Sequence, residues 1–137
     1  MEIRLAAASE LHDIQKYDSH IPARRLAACI ENGLVRVLRD GEQIVGVLRY
    51  SLFWQSIPFL DLIFIDEACR GQGLGRQMMA SWENAMAEQG YSHVMLSTQA
   101  DEDARYFYGH LGYRRCGGFF PPDQDAEELM FLKPLDT

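Results

Sequence analysis

The chain has 137 residues, 47% of them hydrophobic, so it can bury a core and is expected to form a single domain over residues 1–137. Its net charge of -7, with acids spread along the chain, speaks against nucleic acid as a partner and mildly favours cationic ones. Cys29, Cys69 and Cys116 fit neither a disulfide framework nor a zinc site, so they read as free, buried or half-buried thiols of a reducing cytoplasm, with no metal expected. The start Met1-Glu2-Ile3-Arg4 lacks a signal pattern, and Arg49, Asp61 and Asp66 interrupt the apolar stretches, so no membrane span is expected.

In chain order, the alternation over Glu2–Ala6 predicts a strand. Ser9 is placed to cap a helix carrying Leu11, Ile14 and Tyr17. A second helix starts near Pro22, carries Leu26, Ala27 and Ile30, and stops at Gly33. Leu34–Leu38 reads as a strand, Asp40-Gly41 as a hairpin turn and Ile44–Trp54 as a long strand. A short turn ending at Pro58 leads to a strand over Phe59–Ile65. These two strands are almost continuously apolar, as strands covered on both faces are. Leu74–Gln89 is the clearest helix: Leu74, Met78, Trp82 and Met86 recur every four residues, and Gly90 ends it. Val94–Leu96 is a strand core. Asp101 can cap a helix with an inner stripe of Ala104, Phe107, Tyr108 and Leu111, closed by Gly112. Tyr113–Cys116 and Leu129–Leu132 are closing strands. The order β-α-α-β-β-β-α-β-α-β-β predicts an α/β fold with a mixed central sheet flanked by helices.

The most informative segment runs from Ile63 through Asp66 and Arg70 to Gly71-Gln72-Gly73-Leu74-Gly75. It leads from an apolar strand through a loop into the long helix. Three alternating glycines leave main-chain N–H groups open at a helix N-terminus, a cradle for phosphate or pyrophosphate. A dinucleotide fingerprint fails because Arg76 stands where it needs glycine, and a P-loop fails for want of Gly-Lys-Ser/Thr. The plainer alternative is a tight turn that packs the helix on the sheet.

Arg70-x-x-Gly73-x-Gly75 resembles the pyrophosphate motif of the GCN5-related N-acetyltransferase (GNAT) family, and Ala104-x-x-Phe107-Tyr108-x-x-Leu111-Gly112-Tyr113 resembles its second signature. The element order also matches that fold. The resemblance implies acetyl-coenzyme A as co-substrate. It implies that the main chain of Ile63 and Ile65 pairs with the pantetheine arm, and that the amides of Gln72, Gly73, Leu74 and Gly75 hold the pyrophosphate. Arg70 and Arg76 add charge, or are plain solvated arginines. Asp101 stands where the family commonly has Asn, which removes an amide donor.

The resemblance also implies that Tyr108 is the acid at the coenzyme A sulfur, although a core tyrosine would leave the same pattern. The positions where many members carry a basic Glu hold Phe59 and Leu96, so that part of the pattern fails. Asp61, on the same strand face as Phe59, is the nearest carboxylate; it is a base, an acceptor-binding group or a structural partner for a loop amide or for Arg49. His20 lies where the family builds its acceptor pocket, and His110 reads as a surface residue. Trp54 and Phe59 line an acceptor pocket or belong to the core. The leading expectation is direct acetyl transfer to a primary amine of a small molecule or peptide. A non-catalytic acyl-coenzyme A-binding module is the alternative, and homodimerisation stays open.

Overall fold

The computed structural model describes residues 1–136. Its strands and helices follow the expected order: β1 (Glu2–Leu5), α1 (Leu11–Gln15), α2 (Ala23–Glu31), β2 (Val35–Asp40), β3 (Gln43–Phe53), β4 (Ile57–Ile65), α3 (Leu74–Glu88), β5 (His93–Gln99), α4 (Ala104–His110), β6 (Arg114–Phe119) and β7 (Glu128–Pro134). A seven-stranded sheet has the order β1-β2-β3-β4-β5-β7-β6. β4 and β5 pair in parallel, whereas β1–β2, β2–β3, β5–β7 and β6–β7 pair antiparallel. The sheet is mixed, and the α/β class read from the element order is correct. Among the described residues, no helix is long and apolar enough to cross a membrane.

The chain divides into two compact units. The first comprises Met1–Ser51 and Asp61–Trp82. Its core joins Ile14 of α1, Leu26 and Ile30 of α2, Val35 and Val37 of β2, and Ile44 and Val47 of β3. Each such side chain contributes roughly 1.5–3 kcal/mol when fully removed from water. Pro22 caps α2 at the end that needs no N–H from it. All of Ile44–Tyr50 is buried, including Arg49, the charged residue in this largely apolar run. Packing is tight at Gly46, where a Cβ would lie 3.0 Å from the Ile65 side chain and 3.1 Å from that of Leu38. The α3 stripe of Leu74, Met78, Trp82 and Met86 is buried, and the Trp82 ring packs on Tyr50 at 5.7 Å.

The second unit comprises Leu52–Leu60 and the described residues from Glu83 onward. β5 and β7 pair along seven residues, from His93↔Pro134 to Gln99↔Glu128. Val94, Leu96, Leu129 and Phe131 supply buried side chains. β6 is exposed along its length and bulges at Cys116. β3 and β4 are joined by three residues, Trp54, Gln55 and Ser56, with the Ser56 N–H donating to the Phe53 carbonyl at 3.0 Å. Trp54 and Gln55 both have positive φ, 56° and 60°, where such turns favour Asn-Gly.

Several local expectations are corrected. The turn does not end at Pro58; β4 begins at Ile57 and takes Pro58 inside it. Ser9 is no helix cap. It lies within a 3-10 turn, Ala8–Glu10, where the Glu10 carboxylate accepts the Ala7 N–H at 2.8 Å. Asp101 is no cap either, because α4 starts at Ala104 and the capping position falls on Asp103, which makes no side-chain cap bond. Phe107 is exposed rather than part of an inner stripe, and Cys116 is exposed while Cys29 and Cys69 are half-buried.

Candidate active site

The glycine loop sits where β4 gives way to α3. Asp66 starts a 3-10 turn, Glu67–Cys69, by accepting the Ala68 N–H at 3.2 Å. Its other oxygen accepts the Tyr17 hydroxyl, also at 3.2 Å, and the Tyr17 ring packs on Phe64 at 5.3 Å. This fixes the strand end from which the loop departs. Gly71 and Gly73 then adopt φ of 79° and 78°, which side chains disfavour. A Cβ at either would meet nothing within 4 Å, so the main chain is open on that side. The amides of Gln72, Gly73, Leu74 and Gly75 donate to no main-chain carbonyl among the described residues. A helix N-terminus of fifteen residues therefore presents free donors and its positive dipole end to an open surface.

Arg70 turns back on the strand. Its Nε donates to the Ile65 carbonyl at 3.0 Å, and its guanidinium lies 5.1 Å from the Phe64 ring centroid. It thus partly occupies one of the two main-chain positions expected to serve pantetheine, while the carbonyl keeps a second lone pair. Arg76 is exposed on the first turn of α3, and Ile63 and Ile65 are half-buried. The β4–β5 ladder covers Phe59↔Met95 and Leu60↔Leu96, and β4 runs on to Ile65 beyond it.

Asp61 begins that extension. The residue as a whole is exposed but its side chain is only 24% exposed, so the open part is largely main chain. Its carboxylate lies 3.4 Å from Arg49 Nη1 and faces the Ser51 hydroxyl. Burial pushes its proton affinity up; Ser51 and Arg49 oppose this, and Asp18 adds to it. Arg49 is held far more closely by Asp18, through Nε–Oδ2 at 2.6 Å and Nη2–Oδ1 at 3.4 Å. His20 touches the same group, with Nδ1 3.5 Å from Asp18 Oδ1, but is itself exposed. The anticipated link between Asp61 and Arg49 exists. Asp18 was not anticipated: in Tyr17-Asp18-Ser19 it reads as an ordinary loop acid, and only the tertiary fold shows it to be buried.

In the second unit, α4 buries Tyr108 against Phe107 and Tyr113, with ring centroids at 5.2 and 5.9 Å. Burial pushes the Tyr108 phenol up to about 12, aided by Glu102. Its hydroxyl forms no hydrogen bond with any described residue, yet it is not among the fully enclosed orphan atoms. Tyr113 is placed differently. Its hydroxyl donates to Glu83 at 2.7 Å, and Glu83 also accepts Lys133 at 2.7 Å, so the end of the second motif is tied to α3. Trp54 is 81% exposed and stacks on Phe53, which stacks on Phe59. Asp101 and His110 are exposed. Among the described residues, no group of three or more His, Cys, Asp or Glu side chains is placed to hold a metal ion.

A model of the acetyltransferase (GNAT) family matches residues 2–113. Solved structures share the fold at low identity. The Ard1 protein of Thermoplasma volcanium superposes with a TM-score of 0.87 at 16% identity, covering 99% of this chain and 98% of that one. The ribosomal-protein-S18-alanine N-acetyltransferase of Escherichia coli gives 0.82 at 16% identity, covering 99% and 94%. A putative acetyltransferase, yncA, of Salmonella typhimurium, solved with acetyl-CoA, gives 0.81 at 14% identity, covering 100% and 95%. No curated protein matches the chain at a significant level.

Proposed function

Because the chain belongs to the acetyltransferase (GNAT) family, we propose that it transfers an acetyl group from acetyl-coenzyme A directly to a primary amine of a small molecule or peptide. The observation that carries this reading is the open loop at the start of α3: two left-handed glycines with clear space above them and four amides without main-chain acceptors among the described residues. That donor set fits a pyrophosphate. Gln72, Gly73, Leu74 and Gly75 would hold it, with Arg70 and Arg76 adding charge. The main chain of Ile63 and Ile65 would pair with the pantetheine arm as an added strand does. Bound acetyl-coenzyme A supplies the acetyl group as an activated thioester.

Two side chains then move protons. Tyr108, whose phenol holds its proton well above neutral pH, delivers it to the departing sulfur. Asp61, a half-buried carboxylate with raised proton affinity, takes one from the acceptor amine. Holding both reactants together supplies much of the remaining acceleration.

The test is a panel of primary amines with acetyl-coenzyme A, read by thiol release, beside thermal melting with each nucleotide. Acetyl-coenzyme A at about a hundred times its dissociation constant should add roughly 2.7 kcal/mol of stability. NAD and ATP should add much less. Equal shifts with all three would sink the cofactor assignment, and tight binding without turnover on any amine would leave a binding module.

A further inference from the structure

One guanidinium serves two carboxylates, and it serves them unequally. Asp18, just beyond α1, has a side chain with 0% exposure and takes two contacts from Arg49, the shorter at 2.6 Å. Arg49 is itself 10% exposed and reaches Asp61 only at 3.4 Å. Charge-assisted N–H···O bonds are usually about 2.7–2.9 Å, so the first pairing is tight and the second loose. The other groups facing Asp61 add no second cation to this loose pairing. β3 offers the neutral Ser51 hydroxyl; α2 brings Cys29, whose thiol is pushed up by burial; the segment after α1 brings Asp18, with His20 on its outer side. Asp61 is therefore under-neutralised, beside main chain that is open to solvent.

We propose that Asp18 is a positioning residue that ties up Arg49 and so keeps Asp61 available to a cationic acceptor, making the acceptor an amine that arrives as an ammonium ion. This rests on the reading of Asp61 as the acceptor-side carboxylate. An alkylammonium docks by donating an N–H to an Asp61 oxygen. One proton then passes from nitrogen to that oxygen, which leaves a neutral amine with a free lone pair and a neutral carboxyl, and the carboxyl later loses the proton to solvent. A carboxylate fully paired with Arg49 would neither attract the cation nor hold the proton as well.

The experiment reads the free protein. The Asp61 carboxyl is followed by carbon NMR against pH and assigned by its disappearance in Asp61→Asn. In Asp18→Asn, Arg49 loses its closer partner and turns to Asp61, so the Asp61 titration should move to lower pH. In Arg49→Lys, a single ammonium stays with Asp18 and gives up Asp61, so the titration should move to higher pH. This second variant keeps a cation beside the buried Asp18, which secures the test if Asp18→Asn fails to fold. n-Butylammonium chloride should shift the wild-type Asp61 resonance where n-butanol does not, and its apparent affinity should fall on the order of tenfold in Asp18→Asn, as for one lost charge-assisted hydrogen bond. An unmoved Asp61 titration in the folded variants, or equal effects of n-butanol and n-butylammonium, overturns the proposal. Cation binding at Asp61 without acetyl transfer to any amine would overturn the functional reading and leave this cation site standing.

Discussion

An acid that serves a thiolate leaving group must keep its proton until the sulfur needs it. The proposed acid, Tyr108, meets this requirement: burial and Glu102 push its phenol up to about 12, and its hydroxyl has no hydrogen-bond partner among the described residues. Tyr108→Phe should therefore leave acetyl-coenzyme A affinity nearly unchanged by calorimetry and lower turnover by about 10²–10⁴, the usual worth of general acid catalysis. Turnover equal to wild type, with chemistry shown to be rate-limiting, would return Tyr108 to a packing role. Its partner in the motif, Tyr113, cannot substitute, because its hydroxyl is already given to Glu83. The two tyrosines hold different places in the sequence pattern, Tyr108 at the expected acid and Tyr113 at its closing aromatic position. The structure adds a second difference, a carboxylate thirty residues upstream that takes the Tyr113 hydroxyl.

At the scale of elements, the strand–loop–helix from β4 to α3 makes a claim that a matched pair of variants can isolate. Gly73 and Gly41 both have positive φ, 78° and 63°, and both have open space where a Cβ would stand. Gly73→Ala and Gly41→Ala should then lose similar stability, roughly 1–2 kcal/mol from the left-handed conformation alone. Only Gly73→Ala should lose affinity for coenzyme A, since Gly41 belongs to the β2–β3 turn. Equal affinities in the two variants, measured by calorimetry, would assign Gly73 to turn geometry only. The long elements were legible because their periodicity is strong: the Leu74, Met78, Trp82 and Met86 stripe is buried as the spacing demands. What was not legible is short-range. Ser9 and Asp101 have capping chemistry, but a cap works only in the position next to the first helical residue, and each helix starts elsewhere. The β3–β4 turn was misplaced because nothing in Trp54-Gln55 announces two left-handed residues.

For the molecule as a whole, folding moves the proton affinities of two carboxylates, Glu10 and Asp61, in opposite directions, and this should appear in its stability against pH. Arg4 holds Glu10 below the usual carboxylate range, with the Ala7 N–H assisting against burial. Its contribution is present above the unfolded value and is lost as pH falls through the folded one, so Glu10→Gln should be less stable at neutral pH and converge with wild type in acid. Asp61 is raised by burial, so its contribution is present below the unfolded value and lost as pH rises through the folded one. Asp61→Asn should match wild type in acid and equal or exceed it at neutral pH. Urea unfolding across pH 3–8 checks both, and parallel curves for the two variants would contradict the assignment. The acid cluster shows where sequence reading stops. Asp61 stood out as a lone acid in an apolar strand, but Asp18 carries no local signal, because its burial depends on Arg49 arriving from a strand thirty-one residues away. That dependence also sets an order on descent. A lineage that lost Arg49 first would strand a buried carboxylate, at a cost of several kcal/mol, whereas losing Asp61 first strands nothing. Positions 18 and 49 are therefore bound to drift as a couple, and position 61, though nearest the proposed chemistry, is the one the scaffold leaves free to change.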